Sequence, residues 1–326
     1  MSDHLTDCLS PVLLIGAGKM AVEYARVLTA LRHPFVVVGR SADSTQQFTA
    51  KTGAAASKGG LKSWLPGRHV IPAYAIAAVD VEQLAGVVEL LLRQGVKKIL
   101  VEKPGGLHAG EICRLSSLAA REEADVFVAY NRRFYASVKR ARELIDVDGG
   151  VRSFSLEFTE LSKQVEALEL SSVLKANWLL ANSTHVIDLA FHLGGTPTRL
   201  SCFSAGSTSW HPAAAIFAGA GTTLEGALFT YRADWGSLGR WSIEILTSKR
   251  RLFLCPLEEL QEQIKPLGEK RKLNFDDRLD RDFKPGLYRM IRAFLYNKDA
   301  SSLLTVKNQC RMASGLYRNI LYGKVD

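Results

Sequence analysis

The sequence predicts an α/β protein: an N-terminal doubly wound parallel sheet, then a C-terminal α/β part with an open, mostly antiparallel sheet. Two patterns indicate this fold class. Short apolar runs alternate with helical spacing up to about residue 130, and strand-like runs joined by short Gly/Ser-containing turns dominate the rest. A length of 326 residues suits two domains. We therefore predict one domain over residues 1–130 and another over residues 131–326, with the last helix able to pack back on the first.

The first domain begins with a strand, a glycine turn and a helix, which is the order that gives a glycine motif its meaning. The apolar run Val12–Ile15 stops at Gly16-Ala-Gly18, and helical spacing follows. Gly16 permits a tight turn, and Gly18 lets the backbone approach a pyrophosphate, which the helix N-terminus attracts. This is a Rossmann-type pattern, and it predicts cofactor contacts from Gly16, Gly18, Lys19 and Met20.

The second strand, Phe35–Val38, ends without the acidic residue that NAD-binding Rossmann units use for the ribose hydroxyls. Gly39 stands there, and Arg40 and Ser41 follow. An arginine at this place can pair with a 2′-phosphate, so we predict NADP rather than NAD, with Arg40 and Ser41 as contacts. Asp43 lies close enough to reach a ribose, which leaves NAD as the less favoured alternative.

The remaining pattern divides at residue 130. Before it, strands are predicted at 70–79, 98–101 and 126–129, with helices at 81–94 and 111–123. After it, the elements are a strand at 151–159, a helix at 183–193, strand-like runs at 200–204, 213–218, 227–233, 240–247 and 251–255, and helices at 286–295 and 306–322.

Composition and charge exclude several classes of protein. Hydrophobic residues make up 47% and charged residues 23%, which is ordinary for a globular protein and excludes a disordered or coiled-coil chain. With 42 Lys+Arg against 33 Asp+Glu the net charge is +9. The basic runs at 248–251 and 269–272 lack aromatic interleaving, so we expect no nucleic-acid or membrane partner, but a small-molecule substrate that can be anionic.

The cysteines and the N-terminus indicate the compartment. The five cysteines are Cys8, Cys113, Cys202, Cys255 and Cys310. An odd, scattered set without a CxxC pair argues against a disulfide framework and against a zinc site, and we predict no metal. The first residues lack the basic segment of a signal peptide, so we expect a cytoplasmic protein.

Three motifs carry a resemblance to a known family. At Gly16-Ala-Gly18, Glu102-Lys103-Pro104 and Asn131-Arg132-Arg133-Phe134 the sequence resembles the Gfo/Idh/MocA family of NAD(P)-dependent oxidoreductases, and the segment 182–188 resembles that family's His-x-x-Asp helix. The resemblance is strong over residues 10–145 and 175–195. It implies a Rossmann domain, then an open sheet that often forms the dimer surface, hence a homodimer or homotetramer. Family members move a hydride between a nicotinamide and a carbon of a sugar, a cyclitol or an imine.

The resemblance assigns Lys103 and His185 to proton handling. Lys103 follows a strand end, where open α/β sheets bind ligands, and partial burial would lower its pKa toward neutrality. His185 falls in the first turn of a helix, whose N-terminus favours the neutral ring. Asp188 is on the same helix face and could orient that ring. Pro104 stiffens the turn and is often cis in the family.

The other predicted contacts surround these two residues. The resemblance and the position at strand ends give cofactor contacts at Glu102, Lys103, Pro104 and Arg132. They give substrate contacts at Arg133, Tyr135, Lys175, Trp178, Asn182 and His185. A solvated hinge is the alternative for Arg132 and Arg133, a core position is the alternative for Trp178, and the segment 283–288 is a candidate loop over the substrate.

One position departs from the family pattern. Many members carry an Asp four residues before the His, and here that position is Ala181. The expected function is an NADP-dependent oxidoreductase acting on a sugar or nucleotide-sugar-like substrate, with Lys103 and His185 alone handling the proton. Two alternatives remain open: an imine reductase of the same family, and a non-catalytic dinucleotide-binding regulatory protein.

Overall fold

A computed structural model describes residues 10–66, 72–266 and 268–324. Its strands form two sheets. The strands, numbered in chain order, are β1 (Val12–Ile15), β2 (Phe35–Val38), β3 (Ala56–Ser57), β4 (Tyr74–Ala77), β5 (Lys98–Val101), β6 (Asp125–Val128), β7 (Ser153–Phe158), β8 (Pro197–Ala205), β9 (Ile216–Thr223), β10 (Leu228–Asp234), β11 (Trp241–Leu246), β12 (Arg250–Leu254), β13 (Gln261–Ile264), β14 (Arg271–Lys272) and β15 (Leu304–Thr305).

Helices of different lengths connect and cover these strands. They are α1 (Lys19–Ala30), α2 (Ala42–Thr52), α3 (Gly60–Trp64), α4 (Val81–Arg93), α5 (Ala109–Arg121), α6 (Ala136–Val147), α7 (Ser162–Glu166), α8 (Ser172–Ala176), α9 (Thr184–Gly194), α10 (Arg278–Asp282), α11 (Leu287–Tyr296), α12 (Val306–Met312) and α13 (Arg318–Tyr322). Short 3-10 turns lie at Asn131–Phe134 and Ala300–Ser302, and π-helical turns at Leu179–Ser183 and Ala313–Tyr317.

The first sheet is the predicted doubly wound sheet. Its order is β15-β6-β5-β4-β1-β2-β3, and all pairings are parallel except that of β15 with β6. Strand β1 is buried at every residue, as a strand covered by helices on both faces must be. Since the chain winds first to one side of β1 and then to the other, a crevice opens at the carboxyl ends of β1 and β4. The glycine turn after β1 faces this crevice.

The predicted strand at 70–79 begins in residues that the structure does not describe, and its described part is β4. None of the helices in the described ranges is long and apolar enough to cross a membrane.

The second sheet is open and mostly antiparallel, as predicted. Its order is β14-β13-β12-β11-β7-β10-β9-β8, and only β7 and β10 run parallel. Helix α9 packs on β7 so closely that a Cβ on Gly194 would lie 2.3 Å from the Phe154 ring. The opposite face of the sheet exposes Phe203 and Leu228 to solvent. The packing of α9 on β7 fixes the position of this helix, which carries His185 near its start.

The C-terminal segment returns to the first sheet. Strand β15 pairs with β6, α11 contacts α1, and α12 packs on α5. Cys113 on α5 and Cys310 on α12 form a disulfide across 197 residues. This bond corrects the expectation drawn from the odd, scattered cysteines. It depends on the return of the chain, which the cysteine spacing does not reveal.

Candidate functional site

The glycine turn after β1 is tight on one side and open on the other. Gly16 has φ +117°, and a Cβ there would lie 2.1 Å from the carbonyl oxygen of Ala78, so only glycine fits. A Cβ on Gly18 would meet nothing within 4 Å, because this residue faces open space at the start of α1. No side chain in the described part of the protein caps α1, so its first N–H groups remain available for phosphate oxygens. A cavity beside them is lined by Lys19, Met20 and Lys284.

The end of β2 explains why no acidic residue stands there. A Cβ on Gly39 would lie 2.5 Å from Thr45 and 2.8 Å from Ala17, which leaves no room for a side chain. Arg40 follows, exposed to solvent. The Ser41 hydroxyl accepts the backbone N–H of Ser44 at 3.2 Å and so caps α2. Arg40 is therefore the charged side chain next to this strand end.

The Glu102-Lys103-Pro104 turn after β5 is held from two sides. The Tyr24 hydroxyl on α1 donates to Glu102 Oε1 at 2.7 Å, and the amide of Gln309 on α12 donates to the Pro104 carbonyl at 3.0 Å. The Lys103–Pro104 peptide is cis, in agreement with the resemblance. Burial raises the pKa of the Glu102 carboxyl, and Tyr24 partly offsets this. Glu102 therefore anchors the turn that presents Lys103.

Lys103 contacts the segment that precedes α9, the helix that carries His185. Its Nζ donates to the Ala181 carbonyl at 2.7 Å. Burial lowers the pKa of Lys103 from 10.5 to about 8, with Arg132 and Lys284 acting in the same direction and Glu102 and Glu160 opposing. Near neutral pH the amine is mostly protonated and yet titrates within reach, which suits a proton donor.

His185 is the second residue of α9, and 9% of its surface is exposed. Burial lowers the pKa of its ring well below 6.5, and the nearby charges of Lys103, Arg132 and Lys284 lower it further. Its Nδ1 is buried without a hydrogen-bond partner among the described residues. Tyr130 packs edge-on against the ring at 5.8 Å. The imidazole is therefore neutral and available to a ligand.

Asp188 does not orient the His185 ring, contrary to the expectation from helix spacing. Its carboxylate instead takes two hydrogen bonds from Arg133, at 2.7 and 2.6 Å. Asp188 is 1% exposed, and Arg133 also donates to the Ser302 carbonyl at 3.3 Å. This arrangement holds Arg133 inside the protein, so we leave it out of the substrate contacts proposed below.

Arg132, by contrast, lies near Lys103 and His185 and acts on the pKa of both. Its guanidinium carbon lies 4.6 Å from the centre of the Trp241 ring, and Nε and Nη1 have no hydrogen-bond partner in the described part of the chain. Tyr135 is buried, and burial raises its pKa to about 12. The free donors of Arg132 would be satisfied by a bound ligand.

The predicted substrate contacts near α8 fall into different places. Trp178 and Asn182 line one cavity of about 360 Å³, together with Glu160 and Trp241. Lys175 lines another cavity and donates to the Glu166 carbonyl at 2.7 Å. The structure therefore brings Trp178 and Asn182 together but not Lys175 with them.

Sequence reasoning missed Glu160 and Trp241. Glu160 follows β7 by two residues, and Trp241 begins β11, which pairs with β7. An acidic residue just past a strand is a visible signal, but the position of β7 beside α9 is not. Within the described ranges, no three His, Cys, Asp or Glu residues lie together as a metal site would require.

The likeness to known proteins is limited at the level of sequence. No family model matches the chain. A dehydrogenase of 1-carboxy-3-chloro-3,4-dihydroxycyclohexa-1,5-diene from Comamonas testosteroni is 28% identical over 182 residues. That match covers 54% of this chain and 45% of the relative, so the chain spans about half of the relative's length.

Solved structures match along nearly the whole chain. A 3-ketoreductase from Actinomadura kijaniata, in complex with NADP, superposes with a TM-score of 0.74 at 18% identity and 98% coverage of both chains. Levoglucosan dehydrogenase, in complex with NADH, gives 0.75 at 17% identity and 95% coverage of both. At such identities the likeness establishes the fold. The chain has the fold of the Gfo/Idh/MocA-type NAD(P)-dependent oxidoreductases.

Proposed function

We propose that the protein is an NADP-dependent oxidoreductase acting on a CH–OH or carbonyl carbon of a small sugar-like or nucleotide-sugar-like molecule. The observation that carries this proposal is the proximity of a half-buried Lys103 amine, bonded to the Ala181 carbonyl, and a neutral His185, at the strand ends where open α/β sheets bind ligands. The curated relative acts on a hydroxylated ring, and the structural relatives include sugar enzymes, which agrees with this substrate class.

The cofactor fits the residues of the first sheet. The open side of Gly18 and the uncapped N-terminus of α1 support binding of a pyrophosphate there, and the exposed Arg40 at the end of β2 supports a contact with a 2′-phosphate. The 3-ketoreductase is in complex with NADP and levoglucosan dehydrogenase with NADH, so the preference for NADP rests on Arg40 and the closed position at Gly39. When bound, the nicotinamide supplies or accepts the hydride.

Lys103 and His185 have different roles in the reaction: Lys103 transfers the proton and His185 orients the substrate. Lys103, protonated below about pH 8, donates a hydrogen bond and then a proton to the carbonyl oxygen during reduction, and takes that proton back during oxidation. The neutral His185 accepts a hydrogen bond from the substrate hydroxyl and fixes its direction. Tyr130 and Trp241, packed on the His185 ring, keep it in place and exclude water.

The test is a turnover assay at the nicotinamide absorbance band with NADPH and a panel of ketosugars. Lys103→Met should lower kcat about 100-fold or more, since general acid catalysis contributes on that order. Lys139→Met, an exposed lysine on α6, is the matched control and should retain full activity. Full turnover by Lys103→Met would contradict the proposal. Tight NADPH binding without turnover on any substrate would favour a regulatory protein.

A further inference from the structure

The candidate site contains a buried carboxylate that differs from the other buried acids. Among the described residues, the buried acidic side chains are Asp148, Glu160, Asp188 and Glu262. Three of them form ion pairs: Asp148 and Glu262 with Arg250 at 2.7 and 2.8 Å, and Asp188 with Arg133 at 2.6 Å. Glu160 has no ion-pair partner in the same ranges. Burying a charge without a paired cation is costly, so such groups concentrate at functional sites.

Neutral donors hold Glu160 in place. The Ser183 hydroxyl donates to Oε1 at 2.6 Å, and the Asn182 amide donates to Oε1 and Oε2 at 3.2 and 3.3 Å. Burial raises the pKa of Glu160, while Ser183, Trp178, Asn182 and Trp241 lower it. These donors offset only part of the effect of burial, which still raises the pKa of Glu160. Oε2 accepts the Asn182 bond and keeps acceptor capacity, because a carboxylate oxygen takes two hydrogen bonds.

The position of Glu160 relates it to Lys103. Asn182 and Ser183, which hold the carboxylate, directly follow Ala181, whose carbonyl holds Lys103 Nζ. The carboxylate and the ammonium thus bind the same three-residue stretch, Glu160 from the end of β7 in the second sheet and Lys103 from the end of β5 in the first. This is the stretch in which the family resemblance would place an acidic residue and the chain has Ala181.

We infer that Glu160 supplies the carboxylate that Ala181 does not, by accepting a hydroxyl of the substrate in the cavity beside Trp178 and Trp241 and by balancing the charge of Lys103. This inference rests on the proposed function. The cavity then takes a ring with an uncharged hydroxyl-bearing edge: the hydroxyl donates to Glu160 and the C–H face packs on an indole. An anionic substituent at this edge would be repelled by the carboxylate.

Lys103 provides a readout that does not depend on turnover. The charged or titratable groups that act on it are Glu102, Arg132, Glu160, Lys284 and His185. Because the negative charge of Glu160 raises the pKa of Lys103, Glu160→Gln should lower that pKa. The titration is followed by NMR on the ¹³Cε of labelled lysine, with the Lys103 signal assigned from Lys103→Met. Glu157→Gln, on β7 but paired with Arg232 at 3.0 Å, is the control and should leave it unchanged.

Binding of neutral polyols tests the second half of the inference. myo-Inositol and methyl β-D-glucopyranoside, measured by saturation-transfer NMR with NADPH present, should bind the wild type more tightly than glucuronate does. Glu160→Gln should weaken the polyols about 10-fold to 100-fold, the usual effect of losing a hydrogen bond to a charged group. A wild type that binds no neutral polyol, or prefers glucuronate, would overturn the substrate class.

A second variant separates function from folding. Glu160→Asp keeps the charge but withdraws the carboxylate by one methylene, so polyol binding should weaken while the pKa of Lys103 falls less than in Glu160→Gln. If both variants only lower stability in urea and leave the Lys103 titration and polyol affinity unchanged, Glu160 is structural and the inference is wrong. Titration of the wild type with NADPH tests the proposed function independently. If the wild type does not bind NADPH, the proposed function is wrong, while the pKa of Lys103 in the variants still decides the role of Glu160.

Discussion

Arg133 and Asp188 form a buried two-bond ion pair that links the turn after β6 to helix α9, with distances of 2.7 and 2.6 Å. Arg133 follows β6 of the first sheet, and Asp188 lies on α9, which packs on β7 of the second sheet. Arg133 and Asp188 come from two different segments that resemble the family, and each binds the other rather than facing open space. The pair fixes α9, and with it His185, against the turn after β6.

Removal of one partner should therefore affect folding rather than substrate binding. Asp188→Asn leaves the Arg133 charge buried and unpaired, which we expect to cost about 3–5 kcal/mol of unfolding free energy, measured in urea. Glu244→Gln, which breaks an exposed pair with Arg251, should change stability little. If Arg133→Met raised KM without a loss of stability, Arg133 would return to the substrate contacts.

Lys103→Met should stabilise the protein at pH 7 while it removes activity. Burial lowers the pKa of Lys103 from 10.5 to about 8, and removing the buried amine relieves a penalty of about 3 kcal/mol, less about 1 kcal/mol for its bond to Ala181. Between about pH 8 and 10.5 the unfolded chain binds the proton and the native chain does not, so wild-type stability rises with pH there.

The advantage of Lys103→Met should accordingly be full below about pH 8 and absent above about 10.5. Urea unfolding of both proteins at pH 7, 9 and 10.5 checks this. A variant that is less stable at pH 7, or whose advantage grows with pH, would contradict the lowered pKa of Lys103.

Two glycines of the cofactor turn should respond differently to alanine. Gly16→Ala combines a φ of +117° with a clash against Ala78, so we expect a loss of more than about 2 kcal/mol in stability. Gly18→Ala adds a methyl group to open space, so stability should hold while NADPH binds about tenfold more weakly, because the pyrophosphate approaches that side.

A third glycine is the matched control for that pair. Gly86 lies within α4, and its Cβ would also meet nothing within 4 Å. Gly86→Ala should raise stability by about 0.5–1 kcal/mol through helix propensity and leave NADPH affinity unchanged. Unchanged NADPH affinity in Gly18→Ala, measured by fluorescence, would remove Gly18 from the cofactor site.

Sequence patterns predicted both sheets because each leaves a clear signal. The first sheet is buried on both faces and reads as continuous apolar runs, as in β1, while β7 alternates buried and half-buried residues. Helix α2 was missed because it buries only Thr45 and Phe48 and is otherwise polar. Its start is marked by the Ser41 cap and by Asp43 in the first turn, without an apolar pattern to extend it.

The site was predictable where one motif fixes one position, and not where two distant segments meet. Lys103 follows a strand end, and that place is visible in the sequence. The partner of Asp188 was not visible, since helix spacing places His185 near it while Arg133, 55 residues away, reaches it in space. Glu160 depends on which strand lies beside α9, and strand order across a mixed sheet is set by long-range pairing.

Arg40 should determine the choice between the two dinucleotides. It is exposed at the end of β2, next to a glycine position that admits no acidic side chain. Arg40→Ala should weaken NADPH binding about 10-fold to 100-fold, since a charge-assisted bond to a phosphate is lost, and should leave NADH affinity nearly unchanged. Fluorescence titration with both cofactors measures this, with Arg93→Ala, an exposed residue at the end of α4, as the control. Equal losses for NADPH and NADH would mean that Arg40 does not read the 2′-phosphate, and a wild type that binds NADH more tightly would make the prediction of NADP wrong.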